Sequence, residues 1–421
     1  MKSLFLSHYF PPEGNAPATR VFEMCRRWVK LGHEVTVITG VPNVPNGIPY
    51  PGYRNRFVQR ETIDGIRVTR VWTFLAPNKG RVRRSLNYLS YLVSAVFAGA
   101  IAKRPDVVLA TSPQFFCGWA GMLVARLKRR PFILEVRDIW PESIETVGAV
   151  KNRPLLRLLG WMETKLYASA RHIVAVGEGY KEQLVARGVP PEKVTVITNG
   201  VDPSALEPRT KNKELLEQYR LEDRFVVSYI GTIGMACGLD VVLRAAGILK
   251  ERGNSRIVFL LVGDGASREE LENEARAEHL DNIIFTGLQT KDRIPAFLSV
   301  TDACLVHLRK KDLFKSVLPS KILEAAAMAR PIILGVQGHA ARLVEGAGMG
   351  ICIEPENERE LAAAVEKLSA DLRAAQKMGE AGRRHVSERF DLDALAEQYA
   401  GAIEVTLSDT NPYSGALRHG Q

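Results

Sequence analysis

The sequence predicts an α/β protein of two similar domains, each a parallel sheet flanked by helices. Three observations predict it. The chain has 421 residues, the length of two ordinary domains. In both halves short apolar runs alternate with amphipathic segments, which is the rhythm of βαβ units. Between the two runs of that rhythm lies a turn-rich stretch, Val196-Ile197-Thr198-Asn199-Gly200-Val201-Asp202-Pro203, which reads as a hinge.

The elements follow in order. A strand near residues 3–8 leads into the loop Pro11-Pro12-Glu13-Gly14-Asn15. A helix covers about 17–31, Gly32 ends it, and a strand runs over 34–39. Strands recur at 107–110, 132–136 and 173–176, with helical stretches between. The second half restarts with a strand at 225–230 and a helix at about 239–252. A strand at 257–262, the turn Gly263-Asp264-Gly265 and a charged helix come next. Strands near 283–286, 303–306 and 332–335 complete that sheet, and helices follow at about 358–369, 371–387 and 393–407. The expected division is 1–199, 200–390, a C-terminal helix over 391–407 that crosses back to the first domain, and a disordered tail over 408–421. A ligand is expected in the cleft outside the carboxyl ends of the strands.

Composition narrows the class. The chain is 46% hydrophobic and 25% charged, as a soluble globular protein is. Its five cysteines form no CxxC pair, which argues against a disulfide framework or zinc site and fits a reducing cytosol. Met1-Lys2 followed by Ser3-Leu4-Phe5-Leu6-Ser7 is too short for a secretory signal and reads as a first strand. The histidines make no HxH or HxxxH cluster. Asp391-Leu392-Asp393 has the form of a DxD metal motif but reads as a helix cap, so no metal is assigned. Charge is lopsided: residues 1–200 carry 29 Lys and Arg against 14 Asp and Glu, a net of +15, and the remainder carries −5. A basic half beside a mildly acidic one points to an anionic surface met by the first half alone, with nucleic acid and anionic lipid as candidates.

Chemistry concentrates in a few places. In Pro319-Ser320-Lys321-Ile322-Leu323-Glu324 a proline stops the preceding segment and Ser320 can cap a new helix. The helix N-terminus favours an anion, Lys321 adds a full positive charge, and Glu324 can accept two hydrogen bonds from a vicinal diol. Together they would hold a nucleotide diphosphate by its phosphates and its ribose. A capped amphipathic helix with a solvated Lys/Glu pair accounts for the same residues. Gly231-Thr232-Ile233-Gly234 follows a strand and precedes a helix, as a phosphate loop does. It is neither GxGxxG nor a Walker A loop, and a plain βα turn also uses such glycines. Gly14-Asn15 would face the same cleft from domain one, where backbone can approach a sugar or diphosphate, unless it is an ordinary turn.

Glu135-Val136-Arg137-Asp138 ends a buried strand with polar groups. Asp138 could orient an acceptor hydroxyl or act as its base, or Arg137 and Asp138 could pair to fix the loop. Arg81, Arg83 and Arg84 precede an uncharged run over residues 85–102, closed by Lys103-Arg104. The run holds too many polar residues to span a bilayer. With Tyr88 and Tyr91 it reads as an interfacial helix on an anionic membrane, extended by Lys128-Arg129-Arg130. The alternative is a core helix.

Taken in register, Pro319-Ser320-Lys321…Glu324-Ala325, Gly231-Thr232-Ile233-Gly234…Gly238, Asn199-Gly200-Val201-Asp202, Val262-Gly263-Asp264-Gly265 and Phe285-Thr286-Gly287 resemble family 4 retaining glycosyltransferases of the GT-B fold. The GT-B fold is two Rossmann-like domains whose parallel sheets face each other across a cleft. Pro11-Pro12-Glu13 and Arg137-Asp138-Ile139-Trp140-Pro141-Glu142 look like the branch that builds O-antigen, capsule and exopolysaccharide units, including L-fucosamine-transferase-like enzymes. The resemblance covers about residues 3–405.

By this resemblance Glu324 holds the ribose hydroxyls, Lys321 and the 231–234 turn face the diphosphate, and Gly287 and Leu288 lie against the base. It implies a nucleotide-sugar donor, UDP before GDP and possibly with an N-acetylated amino sugar. The implied acceptor is a polyprenyl-diphosphate-linked saccharide, transfer retains configuration, and no cofactor, metal or nucleic acid is needed. The implied location is the inner face of the plasma membrane.

Three departures stand against the family pattern. Ser316 replaces the first glutamate of the usual E-x7-E pair, Thr232 and Cys237 stand near the places of the familiar Arg and Lys, and Arg137 stands where many members have histidine. Lys321, with Arg20 or Arg137, would have to supply the positive charge. A GT-B 2-epimerase of nucleotide sugars leaves the basic apolar helix unexplained. A non-catalytic membrane- or nucleic-acid-binding protein leaves the nucleotide features unexplained.

Overall fold

The computed structural model describes residues 1–77, 81–112, 114–139 and 153–408. The expected tail therefore lies outside the described residues except for Ser408, which is the last residue of a helix. The chain forms two compact units, Met1–Asn199 together with the chain from Leu392, and Gly200–Asp391.

The first unit is built on β1 (Lys2–Leu6), α1 (Ala16–Lys30), β2 (Glu34–Thr39), β3 (Val58–Ile63), β4 (Ile66–Val71) and α2 (Arg81–Ile101). It continues with β5 (Val107–Thr111), α3 (Phe115–Lys128), β6 (Phe132–Val136), α4 (Arg153–Ser169), β7 (His172–Ala175), α5 (Glu178–Ala186) and β8 (Val194–Val196). Its sheet runs β3-β4-β2-β1-β5-β6-β7-β8, parallel except for β3. The central strands β5 and β6 are buried along their whole length, as strands covered on both faces must be. The β3–β4 hairpin is absent from the sequence reading above. Its turn is Asp64-Gly65 with φ of 48° and 79°, the positive pair that Asp-Gly supplies at a two-residue hairpin.

The second unit comprises β9 (Phe225–Ile230), β10 (Ile257–Val262), β11 (Ile283–Gly287), β12 (Ala303–His307), β13 (Ile332–Gly335) and β14 (Gly350–Cys352). All pair in parallel, in the order β11-β10-β9-β12-β13-β14. Its helices are α6 (Lys213–Gln218), α7 (Asp240–Glu251), α8 (Arg268–Ala277), α9 (Ile294–Val300), α10 (Ser320–Ala327), α11 (His339–Gly346), α12 (Glu358–Ala370) and α13 (Leu372–Arg389).

The last helix, α14 (Leu392–Ser408), packs on α1 of the first unit. Trp28 and Tyr399 are both fully buried and meet edge to face at 5.0 Å, and the Trp28 indole N–H donates to the Ala396 carbonyl at 3.0 Å. Arg27 Nε donates to Asp393 Oδ1 at 2.5 Å, so that carboxylate of the DxD-like triplet is an ion-pair partner.

Candidate functional site

The corner at the C-terminal end of β9 is made by two loops and one helix start. Gly231 has φ +139°, and a Cβ there would stand 2.3 Å from Lys321 Cε. Gly263 has φ +142°, and its Cβ would fall 2.0 Å from the Gly231 carbonyl oxygen. Only glycine permits this approach of backbone to backbone and of Lys321 to the loop. The loops are stitched by Gly231 N–H to the Val262 carbonyl (2.8 Å) and Ile233 N–H to the Asp264 carbonyl (2.9 Å). The alternate amides, Thr232 and Gly234, donate to no acceptor among the described residues. A loop whose alternate N–H groups are unspent is what an anion requires.

Lys321 crosses this loop from the first turn of α10. Its Nζ donates to the Tyr229 hydroxyl at 2.9 Å and lies 4.5 Å from the centroid of the Tyr229 ring. That hydroxyl sits 2.8 Å from the Thr232 carbonyl and 3.0 Å from Cys237 Sγ. Burial lowers the Lys321 pKa, with Cys237 and Glu324 opposing. Among the described residues no carboxylate pairs with its ammonium. One turn on, the half-buried Glu324 carboxylate accepts no hydrogen bond from the described residues. Burial raises its pKa, and the charges of Lys291 and Lys321 oppose that shift. Ser320 does not cap α10: Pro319 holds the cap position and Ser320 is the first helical residue, so the first-turn amides have no side-chain acceptor. This corrects the capping role read from sequence; the Ile322 N–H donates to the Pro319 carbonyl at 3.1 Å, and the Ser320 and Lys321 amides donate to no acceptor among the described residues.

Gly287, with φ +72°, joins the corner through its carbonyl, which accepts from Gly263 N–H at 3.0 Å. Leu288 beside it is 78% exposed. Two groups here escape the sequence reading. Arg268, the first residue of α8, lies with its guanidinium 3.4 Å from where a Gly287 Cβ would be. It pairs with Asp264 and Glu272 at 3.7 and 3.5 Å, while its buried Nε has no hydrogen-bond partner among the described residues. The sequence shows Arg268 only as one charge of a charged helix. His307, buried at the end of β12, accepts the Glu356 N–H on Nε2 at 2.9 Å, so Nδ1 carries the proton and donates to the Cys237 carbonyl at 2.7 Å. It braces the far end of the glycine loop as a neutral imidazole, its pKa lowered by burial. Ser316 ends a short 3₁₀ turn, its hydroxyl donating to the Leu313 carbonyl.

In the first unit, Asn15 caps α1, its Oδ1 accepting from Ala18 N–H at 3.0 Å, and Gly14 faces open space. The Asn15 Oδ1 is therefore engaged within the fold. Arg20 is not a free cation either. It is buried, pairs with Glu135 at 3.0 Å and donates to the carbonyls of Ile197 and Thr198. Arg137 differs: its guanidinium has buried Nε and Nη1 groups with no hydrogen-bond partner among the described residues, and burial pulls its pKa down to about 10. It follows β6 directly, with its backbone N–H on Ser112 Oγ. Asp138 Oδ1 accepts the N–H of Ile139 at 2.9 Å. Trp140, Pro141 and Glu142 lie outside the described residues.

Helix α2 is two-faced. Tyr91 is fully buried and donates to the Ile38 carbonyl at 2.9 Å, so it belongs to the core and not to an outer surface. Tyr88 is half-buried against His8, with Arg84 stacked at 5.7 Å and donating to its hydroxyl. The outward stripe is made of other apolar residues: Val82, Leu86, Leu89, Val93, Phe97 and Ile101, with Arg83 and Arg84 exposed at one end. The side chain of Arg81 lies outside the described residues. No described helix is long and apolar enough to cross a membrane.

Comparison with known proteins places these features. Residues 15–200 match the family model described as a glycosyl transferase 4-like domain, and residues 211–385 match the model of glycosyl transferases group 1. WcaI of Escherichia coli K12, named as a glycosyl transferase of colanic acid biosynthesis, is 25% identical over 417 residues, covering 96% of this chain and 100% of the relative. CapM of Staphylococcus aureus, a capsular polysaccharide biosynthesis glycosyltransferase, is 24% identical over 399 residues, covering 90% and 98%. The crystal structure of Anabaena HepE with UDP-glucose superposes with a TM-score of 0.71 at 17% identity, covering 96% of this chain and 100% of that one, which establishes the GT-B fold.

Proposed function

Because the chain belongs to the glycosyltransferases made of a glycosyl transferase 4-like domain followed by a group 1 domain, we propose that it moves a sugar from a nucleotide diphosphate donor, a UDP-sugar in first place, to a polyprenyl-diphosphate-linked saccharide in the synthesis of a bacterial surface polysaccharide. The observation that carries the reading is the corner of the second unit. Unspent amides at Thr232 and Gly234, the ammonium of Lys321 and an unpartnered Glu324 one helical turn away offer a diphosphate site and a diol acceptor in sequence along one helix. Relatives named for colanic acid and capsule synthesis support the polysaccharide, and the HepE complex with UDP-glucose supports the uridine donor.

In this reading the amides and Lys321 stabilise the charge that grows on the departing diphosphate, and Gly287-Leu288 backs the base. Transfer is a same-face displacement that retains configuration. The leaving diphosphate helps take the acceptor proton, Asp138 orients the acceptor, and Arg137 adds the second cation that Thr232 and Cys237 do not supply. No metal or cofactor enters. The apolar stripe of α2, flanked by Arg83 and Arg84, rests on the anionic inner face of the plasma membrane and delivers the lipid-linked acceptor.

The test is a transfer assay with a panel of UDP- and GDP-sugars and a short polyprenyl-diphosphate saccharide. We expect one UDP-sugar to be consumed and a new glycosidic bond with the donor's anomeric configuration, read by proton NMR coupling. A product of inverted configuration would refute the mechanism. Release of free 2-epimer with no glycosidic product would refute the transfer itself.

A further inference from the structure

An open pocket of the first unit lies where α3 and α4 end and β6 and β7 begin. It has a volume of about 400 Å³, and Arg126, Arg129, Arg130 and Arg171 are among the residues that line it. No described carboxylate pairs with any of the four. Arg126 Nη2 donates to the Ser169 hydroxyl at 3.2 Å, and the buried Nε of Arg130 has no hydrogen-bond partner among the described residues. Basic residues often gather at helix C-termini to meet the helix carbonyls. None of the four guanidiniums donates to a carbonyl of the described residues in this way; the carbonyls of Ala125 and Arg126 near the end of α3 accept the backbone N–H groups of Arg129, in the left-handed conformation, and Arg130 instead. Those at the end of α2 take Lys128 Nζ, at 2.7 Å for Ala100 and 2.6 Å for Ala102. Four guanidiniums, those of Arg126, Arg129 and Arg171 exposed and that of Arg130 half-buried, therefore line one space with no carboxylate among the described residues paired to them.

We propose that this cavity binds a phosphate- or diphosphate-bearing group. Guanidinium forks match phosphate oxygens in pairs, and four of them exceed what a single phosphate needs. The volume is that of a small-molecule site rather than of a lone ion. The site is separate from the proposed donor and acceptor chemistry. It sits at the N-terminal ends of the strands, whereas Arg137 and Asp138 follow the other end of β6, five residues and about 15 Å along the strand. The same chemistry is offered by a soluble diphosphate and by the headgroup of an anionic lipid. Lys128 ties the cavity's helix to the end of α2, whose outward stripe finishes at Ile101. The proposal goes beyond the transfer reaction and stands without it.

The test compares wild type with the double variant Arg130→Gln/Arg171→Gln, whose side chains donate to no described residue and whose thermal melting should match wild type. Each is titrated calorimetrically with pyrophosphate, then sedimented with vesicles of phosphatidylcholine alone and with one quarter phosphatidylglycerol. The glycine-loop site is common to both proteins, so only the difference between isotherms is read. We expect a pyrophosphate component in wild type that is weakened at least tenfold in the variant. If anionic-vesicle binding also falls at least fivefold, the ligand is a lipid headgroup. If vesicle binding is unchanged, it is a soluble diphosphate. Superimposable pyrophosphate isotherms would overturn the site.

Discussion

Single residues decide how the corner in the second unit works. Gly231→Ala places a methyl 2.3 Å from Lys321 Cε at a φ that side chains avoid. We expect it to cost about 1–3 kcal/mol of stability and to displace Lys321, weakening diphosphate binding at least tenfold. Denaturant unfolding and calorimetry on the same preparation check both. Buried histidines set a pH response. Desolvation holds His8 at about 3, against a hydrogen bond with Asn87 that favours the protonated ring, among the rings of Tyr9, Tyr88 and Tyr91 and beside Gln114. The unfolded chain takes up that proton near 6.5, so the His8 contribution is complete above 6.5 and is lost as pH falls toward 3. The unfolding free energy should drop by ~2 kcal/mol between pH 7 and pH 5, more where His33, His172, His307 and His385 add shifts of the same sign. A flat profile would contradict the burial.

Lys321 and Glu324 were legible because a proline fixes where α10 begins, and three-residue spacing then fixes their common face. Arg268 was not, because its meaning depends on Gly287 in a different loop. Ser320 was misread by one position: the cap belongs to Pro319, which brings no side-chain acceptor.

At the scale of elements, the closing helix is joined to the first unit by few but large groups. Trp28→Ala removes a fully buried ring, its bond to Ala396 and its contact with Tyr399. It should destabilise the first unit by about 3–5 kcal/mol, seen as an earlier transition in urea. Helix α2 shows the limit of periodicity. In a run this uniformly apolar, aromatic residues drew attention to Tyr91, yet the covered face is chosen by the sheet beneath and by α3. What remains outside is Leu89, Val93 and Phe97. Val93→Glu combined with Phe97→Glu should leave melting unchanged, since Val93 is 65% and Phe97 67% exposed, and should cut sedimentation with anionic vesicles at least tenfold. Unaltered vesicle binding would remove α2 from the membrane account. The β3–β4 hairpin was written in the sequence as Asp64-Gly65, and its polar alternating strands lack the apolar run by which the parallel strands were found.

Over the whole molecule, repetition of one βα rhythm on either side of a turn-rich hinge made the two-unit architecture readable, and the +15 first half pointed to an anionic partner. The pairing of catalytic groups was less readable, because the usual glutamate at Ser316 and the usual cations near Thr232 and Cys237 are absent, and a substitution says what is missing without saying what compensates. Within the second unit the structure offers Arg268, a cation beside Gly287 whose buried Nε has no hydrogen-bond partner among the described residues. The most direct test of the central claim is calorimetric titration of wild type and Glu324→Ala with UDP, GDP and ADP, with and without Mg²⁺. The account predicts one-to-one binding of UDP that does not need the metal and is weakened by about 1.5–3 kcal/mol in the variant, the worth of hydrogen bonds to a charged group. Binding of none of the three, or equal binding by both proteins, would contradict it.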